Sequence, residues 1–123
     1  MKIHMRSSFL PPACASACLM LLLLPGCGRD SRIAVEKGRA RLEAGDYPAA
    51  ARALSRATRR IRDSAPLYYN LGTAYHHMGR YDAAVSAFEA ALRIDPHHRA
   101  SGEHLGLTLV NLKDFETAAA RLG

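Results

Sequence analysis

Two kinds of apolar pattern divide this chain. From Ala13 to Leu24 the sequence is a nearly continuous run of twelve apolar residues. From Ser31 onward apolar positions instead recur at intervals of three and four, as in Tyr68, Leu71, Gly72 and Tyr75, then Ala84, Phe88 and Ala91. Those intervals line up one face of an α-helix. A second, longer rhythm overlies the first. Gly38, Gly72 and Gly106 stand 34 residues apart, and the same step joins Tyr47, Tyr81 and Phe115, then Ala50, Ala84 and Ala118, then Leu54, Phe88 and Leu122. A fixed period of this length predicts stacked helical units, each too small to bury its apolar face alone. Gly45 and Gly79 are also one period apart, and each predicts a break between two helices of a unit, since glycine takes the left-handed conformation that ends a helix.

The middle unit, residues 65–98, carries Tyr68, Leu71, Gly72, Tyr75, Tyr81, Ala84, Phe88, Ala91 and Pro96 where the tetratricopeptide repeat family places its signature residues. The string Tyr69-Asn70-Leu71-Gly72 is itself typical of that family. From Ser31 to Gly123 the chain resembles it. The resemblance implies an all-α fold of antiparallel helix-turn-helix repeats stacked as a right-handed α-solenoid: repeat 1 over 31–64, repeat 2 over 65–98 and an incomplete repeat 3 over 99–123. Gly72 and Ala84 suit a close helix crossing, and Tyr81 an insertion between successive helices, where an aromatic ring buries much area. Pro48 fits a first helical turn, and Pro96 a helix end. Lys37 and Arg41 replace the apolar Leu71 and Tyr75 of the middle unit, which reads as a polar capping face on the first repeat. Lys113 stands where the hairpin glycine belongs, at a cost of roughly 1 kcal/mol if that position is left-handed. The third unit is expected to enter a second helix, whose Ala118, Ala119 and Leu122 begin an uncovered apolar face. A partner or further repeats covering that face are favoured over a frayed end.

The N-terminal run has a different meaning. Lys2 and Arg6 precede it, Pro11-Pro12 interrupt, and twelve helical residues reach about 18 Å, short of the roughly 30 Å hydrocarbon core. This is the pattern of a signal segment. It ends in Leu24-Pro25-Gly26-Cys27, which resembles the lipobox of bacterial lipoproteins. The resemblance implies a signal peptide over 1–26, a diacylglyceryl group on Cys27 and a short linker over 27–30, whose extended reach is about 14 Å. Gly28, rather than Asp, after the modified cysteine favours the periplasmic face of the outer membrane in a Gram-negative envelope. The three cysteines, Cys14, Cys18 and Cys27, all lie in the first 27 residues. Cys14 and Cys18 are read as small residues of the signal, and the repeats have no cysteine for a disulfide, a thiolate metal site or a nucleophile.

In the family, the first helices of successive repeats line a concave groove that receives peptides. Position by position this implies Val35, Arg39 and Leu42 from repeat 1. Repeat 2 supplies Tyr69, Asn70, Thr73, His76 and His77, and repeat 3 supplies Glu103, Leu107 and Val110. Asn70 is expected to hydrogen-bond a bound backbone, its amide being both donor and acceptor. Of the basic and amide residues that clamp a peptide C-terminus in some members, Arg39 and Asn70 alone are matched.

The net charge is +6, from 17 basic and 11 acidic residues, and it is concentrated in repeat 1. Residues 31–64 carry nine basic and four acidic side chains, against two and three in residues 65–98. Arg52, Arg56 and Arg60 form one stripe, with Arg59 and Arg62 beside it, suited to anionic headgroups at about 1 kcal/mol each. Nucleic acid is not expected as a partner of an exported chain, nor is a small-molecule substrate. The pairs His76-His77 and His97-His98 lack a carboxylate at ligand spacing, so neither a metal nor another cofactor is expected. No nucleophile–base order or phosphate-cradling loop is present, and the chain reads as a non-enzyme. The expected function is a membrane-anchored adaptor of the bacterial cell envelope that grips a protein or peptide partner. The alternative is the N-terminal structural segment of a larger lipoprotein, whose repeats pack on further repeats or on a partner rather than on a free peptide.

Overall fold

The structure is a computed structural model that describes residues 27–122. The expected signal segment, with Lys2, Arg6, Cys14, Cys18 and the Leu24-Pro25-Gly26 part of the lipobox, lies outside the described residues, as does the Cys27 side chain. The chain divides into an N-terminal unit, Met1–Asp30, and the unit Ser31–Gly123 that contains the repeats. Five helices are described: α1 (Cys27–Glu43), α2 (Tyr47–Arg60), α3 (Ala65–His77), α4 (Tyr81–Ile94) and α5 (Arg99–Leu122). The four residues expected as a linker are the first turn of α1.

The hairpin turns form where the glycines recur. Gly45 and Gly79 have φ of 76° and 73°. At the first turn the Gly45 N–H donates to Leu42 O (3.0 Å) and Asp46 N–H to Arg41 O (3.0 Å). At the second, Gly79 N–H donates to His76 O (3.0 Å) and Arg80 N–H to Tyr75 O (2.9 Å). Both are the paired bonds that satisfy the last carbonyls of a helix ending in a left-handed residue. Asp46 then caps α2 by accepting the Ala49 N–H (3.2 Å), and Pro48 sits in the first turn, where no donor is needed.

Within each hairpin the small residue meets a large one. A Cβ added to Gly38 would overlap the Leu54 side chain, and one added to Gly72 would lie 2.7 Å from Phe88 Cε1. Leu54, Leu67 and Phe88 are fully buried; full burial of such a side chain contributes about 1.5–3 kcal/mol. Ala50, Ala51, Leu54, Leu67, Leu71, Ala74 and Ala87 make one core, flanked by half-buried Val35, Leu42, Tyr75 and Met78. Helices pack in sequence order, α2 on α3, α3 on α4 and α4 on α5, and α5 also reaches α3. This is the all-α repeat stack that the sequence predicts. Lys37 and Arg41 are exposed on α1, as a capping face requires.

The third repeat departs from expectation. The helix continues through Lys113 to Leu122, where a break and a second helix were expected. No non-glycine residue among those described has positive φ. Without glycine, a left-handed turn at Lys113 costs about 1–2 kcal/mol, whereas continuing the helix adds a hydrogen bond per residue. A Cβ added to Gly106 would consequently meet nothing within 4 Å. Phe115 and Leu122, which match the inserted and buried residues of the earlier repeats, are 63% and 90% exposed.

Candidate functional site

The first helices of the repeats, α1, α3 and α5, are joined side by side through polar contacts. Asn70 Nδ2 donates to Val35 O (3.4 Å), tying α3 to α1. Tyr69 OH and His104 Nε2 share a hydrogen bond (3.3 Å), with their rings edge to face at 5.2 Å, tying α3 to α5. Lower on the same seam, His76 Nδ1 meets Thr108 Oγ1 (2.9 Å). The Thr108 hydroxyl donates its only proton to His104 O (2.6 Å). His76 Nδ1 must therefore carry the donated proton, and Nε2 faces the Asn111 amide at 3.5 Å as acceptor. Burial first, and then the charges of His77 and His104, hold the His76 pKa below its ordinary value.

These contacts sort the expected groove residues. Asn70 is buried, and one of its amide protons is spent on α1. Tyr69 and His76 are half-buried in the α3–α5 seam, and Thr73 is half-buried with its hydroxyl donating within α3 to Tyr69 O (3.0 Å). Val35 and Leu42 pack partly against the core. Arg39 is held between Glu36 (2.9 Å) and Glu43 (3.5 Å), and Glu103 pairs with Arg99 (2.7 Å), all exposed. His77 stacks on Tyr47 with ring centroids 4.5 Å apart. Leu107 and Val110 stand out, 53% and 58% exposed on α5.

The seam partners His104, Thr108 and Asn111, and the stacking Tyr47, are not among the groove positions expected from sequence. The spacing holds a signal for three of the contacts. Val35–Asn70, Tyr69–His104 and His76–Asn111 are each separated by 35 residues, one more than the repeat period. Once the period is known, a polar residue one step beyond it is the place to look.

The basic stripe residues are all exposed on α2. Arg52 and Arg56 line an open cleft together with Arg59 and Arg80, and Arg60 is exposed but not part of that lining. Among the described residues no group of three His, Cys, Asp or Glu side chains is placed to hold a metal ion. The His76 and His77 rings lie nearly perpendicular with centroids 5.8 Å apart. No described helix is long and apolar enough to cross a membrane.

A family profile, the tetratricopeptide repeat, matches residues 35–99, just over half of the chain. The chain is also similar to the tetratricopeptide repeat and J domain-containing co-chaperone DNJ1 of Cryptococcus neoformans var. grubii, 46% identical over 55 residues. That match covers 45% of this chain and 10% of the relative, so the chain spans only a small part of the longer protein. The residues matched by the profile contain both closed hairpins, Gly38 against Leu54 and Gly72 against Phe88. By profile and by architecture together, the chain belongs to the tetratricopeptide repeat family, a protein-interaction fold.

Proposed function

We propose that the chain is an adaptor tethered to a bacterial envelope membrane through a lipid on Cys27, and that the surface along α1, α3 and α5 takes up a segment of a partner protein. The observation that carries the binding surface is the exposure of Leu107 and Val110 on α5, a helix tied to α3 by the His76 contact as α3 is tied to α1 by Asn70. A rigid, polar-pinned wall with exposed apolar positions suits a partner that arrives extended, because little ordering is left to do on binding. The relative is a co-chaperone by name, which agrees with a role in handling other polypeptides. A photocrosslinking residue at Leu107 is expected to capture a protein in cells that the same group at Glu89, exposed on α4, does not. Identical capture from both positions would remove the reading. Palmitate labelling is expected in the unaltered chain and lost in Cys27→Ser.

A second reading is favoured by the far half of α5. Leu109, Phe115 and Leu122 are exposed, and Gly106 faces open space, the surface a further repeat or a partner helix would cover. Phe115→Gln with Leu122→Gln is then expected to abolish that association while leaving the melting temperature unchanged. A fall in melting temperature would show the two side chains already packed in the isolated chain.

A further inference from the structure

We propose that the cleft between α2 and the α3–α4 turn binds an acidic peptide segment carrying an apolar residue among its carboxylates. Its rim holds Arg52, Arg56 and Arg59 from α2, at positions i, i+4 and i+7 of one helix face. Arg80 joins them from the chain reversal at Gly79. Among the described residues none of these four arginines makes an ion pair; the pairs lie on α1 and α5. Asp46 and Asp82 are within two residues of the lining, yet neither pairs with the rim, and Asp46 accepts the Ala49 N–H instead. Four like charges around one concavity repel one another, and an anion in their midst relieves that repulsion. The planar guanidinium fork is matched to carboxylate geometry.

The floor decides which anion. Ala51 is buried, Tyr75 and Met78 are half-buried, and Pro48 lies beside them. The cleft volume is about 550 Å³, within the roughly 300–1,000 Å³ of ligand-binding cavities and roomy enough for side chains to enter. A membrane presents its phosphates in a plane with its acyl chains packed beneath them, so it does not offer charge and a projecting apolar group together to a concave rim. A peptide supplies both the carboxylates for the rim and an apolar side chain for the floor. Tyr75 belongs to α3, but none of the cleft residues is among the groove positions named along α1, α3 and α5, so this site and that one stand or fall separately.

The test is binding of the full chain in detergent to a peptide array in which the number and spacing of Asp and Glu around one Leu are varied. Acidic Leu-bearing peptides are expected to bind, and their Asn/Gln counterparts not. For the best peptide, Arg56→Glu is expected to weaken binding by about tenfold or more, and Arg80→Gln, on a different element, by several-fold. Arg60→Glu, on the same helix outside the cleft, should change it by less than about twofold. The proposal is overturned if Arg60→Glu costs as much as Arg56→Glu, because the attraction is then diffuse charge. It is equally overturned if the amide peptides bind as tightly, or if Arg56-dependent binding is seen to phosphatidylglycerol vesicles and to no peptide.

Discussion

Gly72 and Gly106 hold the same place in their repeats and lie in opposite surroundings. In the middle repeat α3 and α4 close on each other, and Gly72 is small because the Phe88 ring presses against it. In the third repeat no helix returns along α5 among the described residues, a Cβ added to Gly106 would meet nothing within 4 Å, and Leu122, the counterpart of Phe88, is 90% exposed. The residues of 113–122 are all exposed. A repeat residue therefore acquires its structural role only when the element it was shaped to meet is in place. The two repeats differ at the residue where the middle one turns: glycine at 79, and at 113 a lysine through which α5 runs on.

The largest test of this contrast is truncation of the paired large residues. Phe88→Ala is expected to destabilise the chain by about 3–5 kcal/mol, while Leu122→Ala stays within roughly 0.5 kcal/mol. Urea denaturation of both variants reads the difference, and comparable losses would mean that Leu122 is already packed. The glycines give a subtler version with opposite signs. Gly72→Ala gains about 1 kcal/mol of helix propensity but forces the Phe88 ring aside at about 1–3 kcal/mol, for a net loss of order 1 kcal/mol. Gly106→Ala meets no obstacle and is expected to stabilise by up to about 1 kcal/mol. Thermal melts of the two alanine variants moving in the same direction would break the comparison.

The closed repeats are legible in the sequence because each of their features is a local demand. A left-handed turn calls for Gly45 or Gly79, and a close crossing calls for Gly38 or Gly72 against a large residue one period-matched step away. The third repeat misleads for a related reason: Gly106, Phe115, Ala118 and Leu122 keep the periodic spelling, but the hairpin depends on residue 113, where lysine leaves the helix free to continue. On the candidate binding surface, sequence identifies the helices. It does not show that Tyr69, Asn70 and His76 are occupied with neighbouring repeats, since those bonds depend on an offset of 35 residues that emerges only once the helices lie side by side. The cleft is half legible. A stripe at every fourth residue points to Arg52, Arg56 and Arg60, but the turn that brings in Arg80 selects Arg59 in place of Arg60.

Restoring the missing turn residue sharpens the contrast from the other side. In Lys113→Gly the substituted position lies in an exposed helical stretch, so the expected result is a loss of about 1 kcal/mol from α5. Backbone chemical shifts of residues 114–122 report it as reduced helicity. A gain in stability, with Leu122 becoming protected, would instead mean that glycine at 113 suffices to fold the third hairpin onto Gly106.

The smallest effect concerns the seam where the closed middle repeat holds the open third one. His76 faces Thr108 and Asn111 on α5, His104 on the same helix, its neighbour His77, and Tyr81 at the start of α4. Its pKa lies below the ordinary 6.5, first through burial and then through His77 and His104. Near pH 6.5 the unfolded chain therefore binds more protons at this site than the folded chain does. Stability then rises with pH through that window, is fully present above the unfolded pKa, and falls as acidification drives a proton onto His76. Protonation also places a donor at Nε2 opposite the Asn111 amide, so the loss is expected first at the attachment of α5. Melting temperatures taken from about pH 7.5 down to about pH 5.5 should decline in the unaltered chain. His76→Gln, which has no charge to gain, should flatten that decline. A pH profile unchanged by the substitution would mean that the seam does not sense this histidine's charge and that α5 is held by its other contacts, Tyr69–His104 among them.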